Sequence, residues 1–329
     1  MNYFRTLTQT LCVALAALSS AHLLAQTPAN YPNKPVKIVV GYAPGGAVDV
    51  VARTLGQSLG TQLGQSFIIE NKPGAGTNIA VKSVITAEPD GYTLMLAANA
   101  LAANMALYQP MPFDAEKELT AISLVGRVPV VIAANPNAPF SSVAKLIEAA
   151  KAKPGQIAFA SPGNGSTPHM AIEFFAKAAG IDLQHIPYKG GSPAITDAIG
   201  GQLPLVAVNA LEVLPHVKSG KLKILAVLSP TRSVIYPDVP TIAESGFPGF
   251  EASVWYGLMA PTGTPVAIIN QINAATNRTL ASPELQKKLE DNGAVVMRGT
   301  AADFGAFMTK DHARWGEVIR KAGITTNSP

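Results

Sequence analysis

Between residues 36 and 97 the chain alternates short apolar runs with amphipathic stretches at helical spacing, and few folds accept that order. The reading is strand 36–41, helix 47–59, strand 66–70, helix 78–87 and strand 92–97, with Val48, Val51, Ala52, Leu55 and Leu59 on one helix face. A β-α-β-α-β succession implies a parallel sheet covered on both faces. A second alternation follows Val125: strand 128–134, helix 142–153, strand 157–160, helix 168–179, strand 183–188, helix 192–199, strand 203–208, helix 211–219 and strand 222–228. The tail reads as strand 252–260, helix 265–280, helix 284–291, strand 294–298 and helix 301–322, short strands that need a sheet to join. If they return to the first sheet, two doubly wound α/β lobes result, with a ligand cleft between them. The expected organisation is residues 1–25 as a leader, 26–125 with 249–329 as one discontinuous lobe, and 126–248 as the other. The chain would cross between lobes near 124–128 and 246–252.

Residues 1–25 carry one charge, Arg5, an apolar core from Leu11 to Leu18 and small residues around Ser19-Ser20-Ala21 and Ala25, the pattern of a secretory signal peptide cleaved after Ala25. The only cysteine, Cys12, lies inside that segment without a lipobox before it, so the mature chain is expected to have no disulfide, lipid anchor or thiol chemistry. The 25 basic and 21 acidic residues are scattered, with no Lys/Arg run interleaved with aromatics, which gives nucleic-acid binding no support. Every apolar stretch after the leader is broken by Asn, Pro or Gly, so no membrane-spanning helix is expected.

Four loops stand at the carboxyl ends of predicted strands. In the first, Pro44-Gly45-Gly46-Ala47 opens a helix whose free amides and dipole suit an anion. It has neither the Lys-Ser/Thr ending of a phosphate loop nor a dinucleotide fingerprint, so a small free anion is the better guest. Asp49 in the opening helical turn would repel that anion; it either accepts loop amides and fixes the loop, or meets a cationic part of the ligand. The second loop, Asn71–Asn78, again leads glycines into a helix. The third runs from Ser161 through Gly165, Ser166 and Thr167 to His169, with Pro168 placed to start a helix, and there Ser166 or Thr167 either caps the helix or offers a hydroxyl to a ligand. The fourth places Tyr188, Lys189 and the Gly190-Gly191 amides before another helix, where Lys189 pairs with a carboxylate or is simply solvated. Ser166 and His169 lack a Gly-x-Ser-x-Gly elbow and an orienting acid, and the histidines have no metal-binding spacing. No catalytic residue, cofactor or metal is therefore expected.

The sequence resembles the Bug (Bordetella uptake gene) family, the solute receptors of tripartite tricarboxylate transporters, from Tyr31 to about Ile324. The marks are Tyr31-Pro32-x-Lys34-Pro35, Pro44-Gly45-Gly46-x-x-Asp49, Glu70–Gly76, Glu88-Pro89-Asp90-Gly91-Tyr92, Pro187–Gly191, Gly220-Lys221-Leu222-Lys223, Pro237-Asp238-Val239-Pro240-Thr241 and Trp255-Tyr256-Gly257. The resemblance implies a periplasmic protein with the type II periplasmic binding protein fold, a monomer that delivers a small organic acid to integral membrane transporter subunits. It also implies that the loops around Pro44–Asp49 and Ser161–His169 grip one ligand carboxylate. The ligand-binding set expected on these grounds is Pro44, Gly45, Gly46, Ala47, Asp49, Asn78, Ser161, Gly165, Ser166, Thr167, His169, Tyr188, Lys189 and Asn209, with Tyr42 and Asn99 as further candidates for the ligand's distal end. The chain departs from the family's commoner pattern at Ala47, where Ser or Thr is frequent, and at Thr77 and Ala80, where glycines are frequent. The alternatives are a signalling receptor whose loaded form docks on a sensor protein, and a secreted serine hydrolase using Ser166 and His169.

Overall fold

The computed structural model describes residues 30–325 apart from residue 292. The expected leader lies outside the described residues. β1 (Val36–Val40) lies parallel to β2 (Phe67–Asn71) on one side and to β3 (Thr93–Ala98) on the other. The connecting α1 (Ala47–Leu63) buries Val48, Val51, Ala52, Leu55 and Leu59. It runs a turn beyond the expected end and stops at Gly64, whose left-handed φ of 72° lets its N–H close on the Gly60 carbonyl. A 3-10 turn, Ala75–Thr77, leads into α2 (Asn78–Ile85).

Two helices and half a strand were not anticipated. The apolar stretch 94–107 is two elements, β3 and α3 (Ala100–Leu107), divided at Asn99, whose Oδ1 accepts from Trp255 N at 2.7 Å. A short α4 (Ala115–Glu118) follows, started by Asp114 accepting from Lys117 N. Then β4 (Leu119–Ala134) runs unbroken for 16 residues, where the sequence suggested a strand only from 128.

The second alternation gives α5 (Val143–Ala152), β5 (Ala158–Ser161), α6 (Thr167–Ala179), β6 (Gln184–Pro187), α7 (Gly191–Ile199), β7 (Leu205–Asn209), α8 (Ala210–Lys218) and β8 (Lys223–Val227). β5 is parallel to both β6 and β7. The tail supplies β9 (Ser253–Pro261), α9 (Val266–Ala281), α10 (Pro283–Glu290), β10 (Val295–Val296) and α11 (Ala301–Ala322). β9 enters antiparallel between β3 and β4, giving the order β2-β1-β3-β9-β4-β7-β5-β6, with β8 and β10 also on β4. β4 pairs with β9 from Leu119 to Pro129 and with β7 from Val130 to Ala134, so one strand belongs to both portions of the sheet.

The tail is bound to the first portion through its core as well. Gly257 on β9 stands against the Phe304 ring of α11, leaving no room for a Cβ, and Trp255 packs edge-on to Phe304 with ring centres 5.6 Å apart. α9 lies along α1, where Gln62 Nε2 reaches the Ala275 carbonyl at 3.2 Å. Among the described residues, no helix is long and apolar enough to cross a membrane.

Candidate functional site

The carboxyl ends of four strands meet. Tyr42, Gly46 and Ala47 after β1, Ala98 and Asn99 after β3, Ser166 and Thr167 after β5, and Asn209 and Glu212 after β7 enclose a cavity of about 20 Å³ together with Gly191 and Val254. That is room for roughly one water-sized group. Ala43 N–H donates to the Lys189 carbonyl at 2.8 Å, joining the first loop to the fourth by main chain alone. Glycines stand where the loops come closest. A Cβ on Gly45 would lie 3.1 Å from Ser192 Oγ, and one on Gly165, whose φ is 75°, would collide with the Asn104 carboxamide of α3.

In the first loop the amides do not all point at the cavity. Gly46 and Ala47 line it, whereas Pro44 and Gly45 do not. The expectation of an anion on the Gly45 amide is corrected here, because that N–H donates to Asp49 Oδ2 at 2.9 Å. Asp49 also accepts from Arg53 Nε and Asn71 Nδ2, each at 2.9 Å. Burial alone would raise its pKa, but the hydrogen bonds from Arg53, Gly45 and Asn71 outweigh that and hold the carboxyl below its ordinary value. Asp49 thus buckles the loop and meets a cation of the chain itself. Asn78 is likewise occupied away from the cavity, its Oδ1 accepting from Asn104 Nδ2 at 2.7 Å. Just before it, Thr77 holds a left-handed φ of 81°, a conformation for which glycine is better suited.

Ser166 caps α6, its Oγ accepting from His169 N, and Pro168 sits in the opening turn as the sequence suggested. Thr167 points its buried Oγ1 where no hydrogen-bond partner meets it. Gly165 and His169 form a support behind the loop, with Gly165 N–H donating to His169 Nδ1 at 3.3 Å. The His169 ring stacks on His185 at 4.0 Å, and His185 Nε2 bonds Ser161 Oγ at 2.6 Å. Ser161 and His169 therefore brace the loop and do not line the cavity. The Ser166 oxygen bonds main chain and the His169 ring bonds Gly165, so this pair is not a nucleophile with its base. Burial lowers the His169 pKa to about 4; burial, with His169 beside it, lowers that of His185 to about 2. Both rings are expected to stay neutral down to pH 5, read by NMR as side-chain shifts that do not move between pH 8 and pH 5. A midpoint near 6.5 for either would show that the stack opens to water.

In the fourth loop the side chains stand beside the cavity and not on its wall. Tyr188 OH donates to Asp197 Oδ2 at 2.5 Å, and burial followed by that carboxylate pushes its pKa up to about 12. Lys189 contributes its carbonyl to Ala43 while its side chain is exposed. Both residues line an adjoining groove with Gly76, Gly163 and Asn164, which shares Tyr42 and Pro162 with the cavity. Asn99 lines the cavity but serves as a bracket, accepting from Trp255 N and donating to the Ser253 carbonyl.

Glu212 was missed. Asn209 Nδ2 donates to its Oε1 at 2.5 Å and Ala47 N–H also reaches the carboxylate, while its buried Oε2 has no partner. A Cβ on Gly191 would overlap this carboxylate, so only glycine lets α7 start there. Burial pushes Glu212 up to about 7 against those hydrogen bonds. The buried Tyr256 OH is also unpartnered, and its pKa is raised by burial, then by Glu212 and Tyr42. The signal was available: Glu212 stands three residues past Asn209, at the end of a strand already assigned. An acid in a first helical turn has an ordinary role there, which hid it.

A family model described as "Tripartite tricarboxylate transporter family receptor" matches residues 51–324. Protein BugT of Bordetella pertussis is 37% identical over 320 residues, 96% of this chain and 98% of that protein. Among solved structures, the periplasmic binding protein BugD is 34% identical with a TM-score of 0.86, covering 90% of this chain and 99% of its own. Rpa4515 of R. palustris with adipate is 32% identical, TM-score 0.87, over 90% and 99% of the two chains. MatC of Rhodopseudomonas palustris with bound malate is 30% identical, TM-score 0.84, over 88% and 100%.

Proposed function

The chain belongs to the tripartite tricarboxylate transporter receptor family of periplasmic solute-binding proteins, which are receptors and not enzymes, and from that premise we propose that it captures a small organic carboxylate and hands it to a membrane transporter. The observation that carries this reading is the set of buried, unpartnered polar atoms on the cavity wall: Thr167 Oγ1, Asn209 Oδ1 and Glu212 Oε2. A buried polar atom without a partner is unfavourable by about 1–3 kcal/mol, so such atoms gathered in one place are groups awaiting a ligand. The adipate of Rpa4515 and the malate of MatC give the ligand class.

In this reading residues 26–125 with 249–329 form one lobe and 126–248 the other. The pairing of β9 with β3 and of β5 with β7 supports the division. The ligand carboxylate is held by Gly46 from the first lobe and by Ser166 and Thr167 from the second, with Ala47 and Asn209 toward its far end. The cavity as it stands admits about one water, so capture requires the loops to separate and close again. Residues 1–25 serve as the export signal, removed near Ala25, and the mature protein acts as a monomer.

Calorimetry with adipate, malate and the protein freed of ligand by unfolding and refolding is the test. Thr167→Val removes only the waiting hydroxyl. Its affinity for whichever acid binds is expected to fall about threefold to tenfold, with the melting temperature unchanged or slightly raised. Unchanged affinity would remove Thr167 from the ligand's shell.

A further inference from the structure

The two walls of the cavity offer different chemistry. On the α6 side stand hydroxyls and a helix N-terminus. On the α8 side, Glu212 Oε2 and Asn209 Oδ1 are acceptors that carry no hydrogen when the carboxyl is ionised. The orientation of the Asn209 amide is set by its partner, since Nδ2 is the atom that donates to Glu212 Oε1, and this leaves the oxygen as its free end. The lining residues include neither lysine nor arginine, and the groups that face Glu212 are the Tyr42 and Tyr256 phenols and the Ala47 amide. A ligand bearing only carboxylates would bring like charge against a carboxylate in a confined cavity whose wall offers it no cationic side chain. A donor bearing positive charge would satisfy both free acceptors and supply the missing counter-charge.

We propose that Glu212 and Asn209 form an ammonium subsite, so that the ligand is an amino-bearing carboxylate: its ammonium donates to Glu212 Oε2 and Asn209 Oδ1, and its carboxylate turns to Thr167 and the α6 N-terminus. Glu212 is then the specificity-determining residue. This rests on the carboxylate-capture reading and narrows it. The Gly191 position fits the role, because a Cβ there would displace the Glu212 carboxylate. This glycine thus keeps the space beside the acid open.

The test uses matched acids that differ by one amino group: adipate against 2-aminoadipate, and malate against aspartate. Ligand-free protein is expected to bind at least one amino member about tenfold to hundredfold more tightly than its partner, the range of a charge-assisted hydrogen bond. Glu212→Gln, which keeps the shape, should erase that preference by weakening the amino acid, not by strengthening the plain acid alone. Calorimetry in two buffers of different ionisation heat gives a second readout on the unaltered protein, free of any folding defect in the variant. An amino-bearing ligand meeting an ionised Glu212 should take up no proton at pH 8. Equal binding of both members with an unchanged ratio in Glu212→Gln, or tight binding of a plain acid with uptake of one proton, overturns the subsite and leaves carboxylate capture standing. Failure of all four acids, alongside binding of an uncharged solute, overturns capture itself and the subsite with it.

Discussion

Replacing Gly165 by valine is expected to weaken ligand binding about tenfold to hundredfold while the protein remains folded. The reason is where the added atoms would go. At φ 75° a Cβ on Gly165 would run into the carboxamide of Asn104, which comes from α3 on the other side of the proposed cleft. Overpacking of this kind typically opposes the packed state by about 1–3 kcal/mol, and here it acts only while the two segments are together. The left-handed backbone adds strain whether they are together or apart, so it lowers stability without changing affinity. Gly180 provides the control: it ends α6 at φ 62° with nothing near its Cβ direction, so Gly180→Val carries the backbone term alone. Calorimetry with whichever acid the wild type binds, run beside thermal melts, separates the two. Equal losses of affinity in both variants would mean that the loop approach plays no part in capture.

Glu212→Gln is expected to stabilise the ligand-free protein by about 3 kcal/mol at pH 8, the largest effect on stability anticipated for one side chain. In the fold its carboxyl titrates near 7, against an ordinary value of 4.5, with burial as the first cause. Between those two values the unfolded chain releases its proton and the folded chain does not, so wild-type stability falls as pH rises from 4.5 through 7 and then levels. Glutamine has no proton to lose. The difference in melting temperature should therefore open across that window and stay constant above it. A difference that does not vary with pH would show that water reaches the carboxylate. A group that destabilises the empty protein and aids the loaded one is what a binding residue looks like thermodynamically.

The sequence carried the architecture better than the partners. Periodicity is local, so α1 and the alternation of strands and helices from 128 to 228 could be read within a residue or two of their ends, apart from the added turn on α1. The amino half of β4 was unreadable because Thr120, Ala121 and Ser123 give neither clean alternation nor a continuous apolar run, and pairing along β9 is what makes those residues a strand. The rule that ligands gather at strand ends pointed to Gly46, Ala47, Ser166, Thr167 and Asn209, and these five lie on the cavity wall. Asp49 as acceptor of the loop amides was one of two readings open from the sequence, and the Gly45 bond is that one, whereas the capture of the Tyr188 hydroxyl by Asp197 one helix away could not be foreseen. Which donor meets which acceptor is decided by packing, and packing is not written at any fixed spacing. Thr77 is the reverse case, where a residue ill suited to its backbone angle could be named from the family pattern before its φ was known.

The uninterrupted β4 has a mechanical consequence. Its pairing passes from β9 to β7 at Pro129 and Val130, with no loop at which the chain could swivel freely. Any parting of the ligand loops has to be absorbed as a bend within this strand, whose register against β9 already shifts between Ala121 and Ser123 and between Leu124 and Gly126, and along the second crossing between β8 and β9. Opening at this crossing is then a distributed bend of paired backbone and not rotation about a single slack link.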